Sequence, residues 1–121
     1  MRTRSNGIDA SALAHRIVDV ASDKKAADIV LLDVSALTTI ADFFVICSGQ
    51  SERQVQAVAE AIIEAGETVG RSPLGVEGLA AARWVLVDLG DVIAHVFTPE
   101  ERAYYRLERL WGDAPVIVQV Q

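Results

Sequence analysis

Cysteine occurs once in this 121-residue chain and histidine twice. Cys47 therefore has no internal disulfide partner, and the three residues cannot enclose a structural zinc. Basic side chains are in deficit: 11 Lys and Arg stand against 17 Asp and Glu, a formal net charge of −6. Affinity for phosphates comes mainly from Lys and Arg, so this balance argues against direct nucleic-acid binding by the chain alone. No apolar run is long enough to span a bilayer, and the first 25 residues mix Arg2, Arg4, Arg16, Lys24 and Lys25 with Asp9, Asp19 and Asp23. That opening does not have the form of a signal peptide, so a cytoplasmic protein without membrane attachment is expected. A Walker loop, Gly-x-Gly-x-x-Gly, Cys-x-x-Cys and His-Glu-x-x-His are all missing. Aromatic residues are scarce at 6%. Five of them, Trp84, Phe97, Tyr104, Tyr105 and Trp111, lie in the last third of the chain.

Hydrophobic residues make up 51% and charged residues 23%, a globular balance for one domain. Residues 1–8 read as a flexible leader, 9–112 as the folded domain and 113–121 as a Pro-interrupted tail that either adds an edge strand or stays loose. Asp9 is a good N-cap, and Ala10, Leu13, Ala14, Ile17, Val18 and Ala21 make one helical stripe after it. Asp28–Asp33 and Asp42–Ser48 are short apolar runs, read as strands covered on both faces. Ser51-Glu-Arg-Gln54 has the form of a capping box and opens a helix over 52–69, stopped at Gly70. A short extended piece lies in Pro73–Gly78. Two strands, Trp84–Asp88 and Asp91–Phe97, follow, joined by a turn with Gly90 in the left-handed position. Thr98-Pro-Glu-Glu101 opens a last helix, with Tyr104, Leu107 and Trp111 on one stripe. The order α-β-β-α-β-β-β-α predicts an α/β (α+β) fold, a single mixed sheet of about five strands flanked by helices.

Few constellations point to catalysis. Asp28, Asp33, Asp42, Asp88 and Asp91 fall at strand ends, where carboxylates can converge on a metal, and Ser48-Gly49 before a helix suits a phosphate turn. Together they define an alternative reading, a nucleotide-dependent nucleotidyltransferase-like enzyme. The two acids one residue apart that such enzymes use are missing, because no Asp-x-Asp occurs. Cys47 and His95 form a nominal nucleophile–base pair, but Cys47 sits in an apolar run that suits a buried thiol. Neither a cofactor nor a metal site is expected, and a non-enzyme is the favoured reading. Trp84 opens a strand directly after the small-residue loop Gly78–Ala82, where burial is hard to complete. Trp and Tyr beside acids are typical anchors of protein interfaces, while plain core packing is the equal alternative for Trp84 and the favoured role for Trp111. This directs attention to Glu77, Gly78, Trp84, Asp88, His95, Phe97 and Tyr104 as a candidate partner-binding set.

Ala41-Asp-Phe-Phe-Val-Ile-Cys-Ser-Gly49 followed by Ser51-x-Arg53-Gln-Val55 resembles the signature of the ribosomal silencing factor family (RsfS, or Iojap). The similarity continues through Pro73-Leu-Gly-Val-Glu-Gly78, Trp84–Val92, His95-Val-Phe97 and Tyr104-x-x-Leu107-x-x-Leu110-Trp111, covering roughly residues 10–112. The resemblance implies a nucleotidyltransferase-related fold that lacks the catalytic acids. It implies binding to the large ribosomal subunit through ribosomal protein fourteen. Translation would then be repressed under nutrient limitation by steric exclusion of the small subunit. It also implies self-association as a homodimer. The acidic charge fits the same partner, since ribosomal proteins are usually basic.

Overall fold

The computed structural model describes residues 8–121. Helix α1 (Ala10–Asp23) starts where Asp9 accepts the Ala12 N–H at 2.8 Å, and its buried side chains are the six apolar residues of the predicted stripe. Strands β1 (Ala27–Asp33) and β2 (Phe43–Ser48) follow, then helix α2 (Glu52–Thr68). Next come β3 (Gly75–Glu77), β4 (Trp84–Asp88) and β5 (Val92–Phe97). Two short helices, α3 (Pro99–Tyr105) and α4 (Leu107–Leu110), precede β6 (Val116–Val120).

Among the described residues, one sheet holds all six strands in the order β3-β4-β5-β2-β1-β6. The β2–β5 pair is parallel and every other pair antiparallel, which makes the sheet mixed. Six strands replace the expected five because 116–120 pairs with β1, Ile29 facing Val120 and Leu31 facing Val118. The leader over 1–8 lies outside the described residues except for Ile8, which packs against the core.

The alternation of β1 divides the core. Ile29 and Leu31 join Val45, Cys47, Val85, Val87, Ala94 and Val96 beneath α1 and α2. Val30 and Leu32 point the other way, with Phe44, Ile46, Ile93 and Phe97. The helical layer on that second face is thinner, Leu107 and Trp111 of the α4 segment being its contribution. Thus β1 and β2 are covered on both faces, while the β4 positions on the second face, Trp84 and Leu86, stay partly exposed.

Two local features depart from expectation. Asp28 is not a strand-end acid but lies inside β1 at a bulge, with φ of 50°. The last helix is broken: Arg106 adopts a left-handed φ of 50°, so the Tyr104–Leu107–Trp111 stripe does not exist as one face. Arg102 braces this corner, donating to Glu108 at 2.6 Å and to the Ser48 hydroxyl at 2.8 Å.

The capping box at α2 reaches further than a helix end. Ser51 Oγ accepts the Gln54 N–H at 3.1 Å, while Gln54 Oε1 accepts from the Gln50 N–H. The Gln54 amide donates to the carbonyls of Lys24 and Lys25, tying α2 to the end of α1. Ser51→Ala is expected to destabilise the fold by about 1 kcal/mol. Urea denaturation measures this, and partner binding should persist in the folded fraction.

Candidate functional site

On the thinly covered face, side chains at alternate positions of β4 and β5 come together. Trp84 faces Phe97 and Leu86 faces His95 in the ladder. The indole stacks on Phe97 with ring centroids 5.0 Å apart and planes 27° from parallel. Its Nε1–H donates to His95 Nδ1 at 3.2 Å. Tyr105 packs on the indole at 4.7 Å, and Tyr104 meets Tyr105 edge-on at 4.9 Å. On the inner side, Phe44 stands edge-on between His95 and Trp111. The aromatic set therefore forms one continuous band, which runs from Trp111 and Phe44 through His95 and the partly exposed Trp84 to the exposed Tyr105 and Tyr104. Next to it, Glu77, Gly78, Trp84 and Leu86 line a shallow cleft of about 250 Å³.

The structure sorts the seven predicted residues. Glu77 and Gly78 are exposed and share the cleft with the partly exposed Trp84. Tyr104 is 78% exposed and reaches Trp84 only through Tyr105. Phe97 is fully buried and His95 is 4% exposed, so both lie behind the surface and support Trp84. Asp88 is not brought to Trp84. It stands at the other end of β4, about 13 Å away at strand rise, and its carboxylate accepts the Gly90 N–H in the β4–β5 turn. Leu86 and Tyr105 were missed. Leu86 was within reach of the period-two rule, two residues after Trp84 on the same face. Tyr105 had no such signal, because its position depends on the corner at Arg106.

Burial among aromatic rings pushes the His95 imidazole down to about 4, from an ordinary value of 6.5. Between those two values the unfolded chain binds the proton and the folded chain does not. The His95 contribution to stability should therefore fall as pH drops from about 6.5 to about 4 and level off below, a loss on the order of 3 kcal/mol. Melting temperatures of the wild type and His95→Phe should diverge towards acid. Parallel curves would contradict this account.

The structure does not bring together the residues of the nucleotidyltransferase-like alternative. Asp42 and Asp91 precede the parallel strands β2 and β5, and Asp33 and Asp88 end their antiparallel neighbours, so these four acids share one end of the sheet. Ser48-Gly49 lies at the opposite end, about 20 Å away along six residues. Asp33 is held below the usual carboxylate range by the Ser35 hydroxyl and N–H, and Asp91 pairs with Arg71 at 3.4 Å. An open groove of about 620 Å³ does lie near Gly49, between the starts of α2 and α3. Its lining includes Glu52, Glu100 and Glu101 against Arg53 and Arg83, and Arg83 already faces Glu52 at 3.6 Å. That charge balance does not suit a triphosphate. Cys47 and His95 do not pair either. Cys47 lies on the helix-covered face, its thiol pushed up to about 12 by burial, while His95 is on the other face. Among the described residues, no group of three or more His, Cys, Asp or Glu is placed to hold a metal ion. No helix of the described residues is long and apolar enough to cross a membrane.

Comparison with known proteins matches residues 8–121 to the family described as "Ribosomal silencing factor during starvation", RsfS. The chain belongs to the ribosomal silencing factor family. The match includes β6, which the sequence resemblance had left outside. The chain is 51% identical over 100 residues to the ribosomal silencing factor RsfS of Halalkalibacterium halodurans, covering 83% of this chain and 86% of that protein. A crystal structure of a Chromobacterium violaceum protein superposes with a TM-score of 0.85 at 36% identity, covering 87% of this chain and 88% of the other. A more distant relative, the "mitochondrial assembly of ribosomal large subunit protein 1" of Mus musculus, is 33% identical over 78% of this chain and 43% of its own. The names of the bacterial family members describe a regulatory role in connection with the ribosome.

Proposed function

We propose that this silencing factor acts in the cytoplasm by binding the large ribosomal subunit through ribosomal protein fourteen. Its bulk there excludes the small subunit and so represses translation when nutrients are limiting. The observation that carries the reading is the cleft of Glu77, Gly78, Trp84 and Leu86, in which one partly exposed ring of an aromatic band is presented. A rigid indole backed by Phe97 and flanked by an acid has the chemistry of an anchor for a basic protein surface. The net charge of −6 favours encounter with such a partner and disfavours bare RNA. Kinship with a protein named for large-subunit assembly supports the choice of subunit.

The test is subunit joining. Purified protein added to separated subunits should lower the yield of joined ribosomes in proportion to dose, with no nucleotide present. A strict requirement for ATP hydrolysis would overturn the reading. Self-association as a homodimer belongs to the same proposal. Analytical ultracentrifugation of the free protein reads it directly, and a monomer at every concentration would remove it.

A further inference from the structure

His95 is an unusual choice for its position. It is 4% exposed and packed among the rings of Phe44, Trp84 and Phe97. An indole nitrogen only donates, so Nδ1 is the acceptor of the Trp84 bond and the neutral ring carries its hydrogen on Nε2. Nε2 is buried and has no hydrogen-bond partner. A buried donor left unmade lowers stability, and a phenyl ring in this aromatic setting would avoid the loss. What imidazole supplies and phenyl does not is the acceptor for Trp84.

That acceptor does something the aromatic packing cannot. Stacking on Phe97 sets the plane of the indole. The second side-chain torsion of Trp is broad and roughly two-fold, so stacking alone leaves open which edge of the ring turns inward. The hydrogen bond to Nδ1 decides it, leaving the rest of the indole to line the cleft with Leu86, Gly78 and Glu77.

We propose that His95 is a positioning residue for the partner surface: it holds the Trp84 indole in one orientation, so that the anchor is set before the partner arrives. This rests on the reading of the Trp84 cleft as the partner contact. A side chain fixed in advance loses less freedom on binding, and the gain is on the order of five- to tenfold in affinity.

The experiment uses two variants of the full chain, with isolated large ribosomal subunits as the probe. His95→Phe removes the acceptor and the orphan donor together. His95→Asn keeps an amide oxygen near the place of Nδ1 but loses ring packing. Three quantities are read: melting temperature, affinity, and solvent exchange of the Trp84 indole N–H by NMR, assigned with Trp84→Phe. The expected orders run opposite ways. His95→Phe should melt close to the wild type, because it removes the orphan Nε2–H but also the Trp84 acceptor, yet exchange its indole proton faster and bind five- to tenfold more weakly. His95→Asn should melt lower, yet keep slower exchange and tighter binding than His95→Phe.

Affinity that follows melting temperature in both variants would overturn the proposal, as would wild-type affinity in His95→Phe with a freely exchanging indole. If His95→Phe does not fold, slow exchange in the wild type and in His95→Asn supports it, and fast exchange in the wild type overturns it. Should Trp84→Ala itself leave binding unchanged, the reading of the surface fails. The exchange rates then still decide whether His95 holds the ring.

Discussion

Gly78→Ala is expected to destabilise the protein by about 2–5 kcal/mol and to remove partner binding with it. Gly78 has a φ of +82°, in the left-handed region that costs a residue with a Cβ about 1–2 kcal/mol. An added Cβ would also lie 2.2 Å from the carbonyl oxygen of Trp84. That oxygen is backbone at the start of β4, held in register by the Trp84–Phe97 pairing, so it cannot turn aside as a flexible side chain would. Forced overpacking of this kind adds about 1–3 kcal/mol. Against a total stability of about 5–15 kcal/mol for a small domain, the sum is a large fraction. Urea denaturation of the wild type and Gly78→Ala measures it. The surviving folded protein should bind large subunits poorly, because relief of the clash moves the wall that Gly78 and Trp84 share. A Gly78→Ala protein as stable as the wild type would contradict the geometry.

Trp84→Ala is expected to weaken large-subunit binding by about thirtyfold or more, the effect of removing a well-packed aromatic anchor. Its effect on the fold should be smaller than the ~3–5 kcal/mol of a fully buried Trp, because the indole is only partly covered. The packing it does have, on Phe97, His95 and Tyr105, ensures that some stability is lost. Affinity and unfolding free energy measured on the same preparation separate the two losses. A folded Trp84→Ala protein that binds as the wild type does would take Trp84 out of the contact. A loss of the full core magnitude with no change in affinity would place its role in packing alone.

The residues that built the site differed in how far their roles could be read from spacing. Trp84 after a run of small residues pointed to an incompletely buried ring, and the indole is partly exposed. Phe97 and His95 stand in the same candidate set, and the structure places both behind the surface, where the neighbours β2 and β4 and the Phe44 and Trp84 rings enclose them. Asp88 lies at the end of β4 away from Trp84. A position in a strand states which face a side chain takes, and the turn that follows decides whether its carboxylate is free. Here Asp88 is occupied by the Gly90 N–H.

What the sequence determined by itself was whatever depends on near neighbours along the chain. The stripes of α1 and α2, the Asp9, Ser51 and Thr98 caps and the left-handed Gly90 each follow from residues within four positions of one another. So do the apolar runs of β1 and β2, which is why the mixed sheet with flanking helices was legible. The tertiary structure alone decided that β5 lies beside β2, which puts four acids and the Ser48-Gly49 turn at opposite ends of the sheet. It also decided that 116–120 closes onto β1 as a sixth strand, and that the chain turns at Arg106 so that Tyr105 meets Trp84. Strand order, edge pairing and ring-on-ring contact join residues far apart in the chain. Their free energy comes from surfaces that exist only once the layers have assembled, and no local period records it.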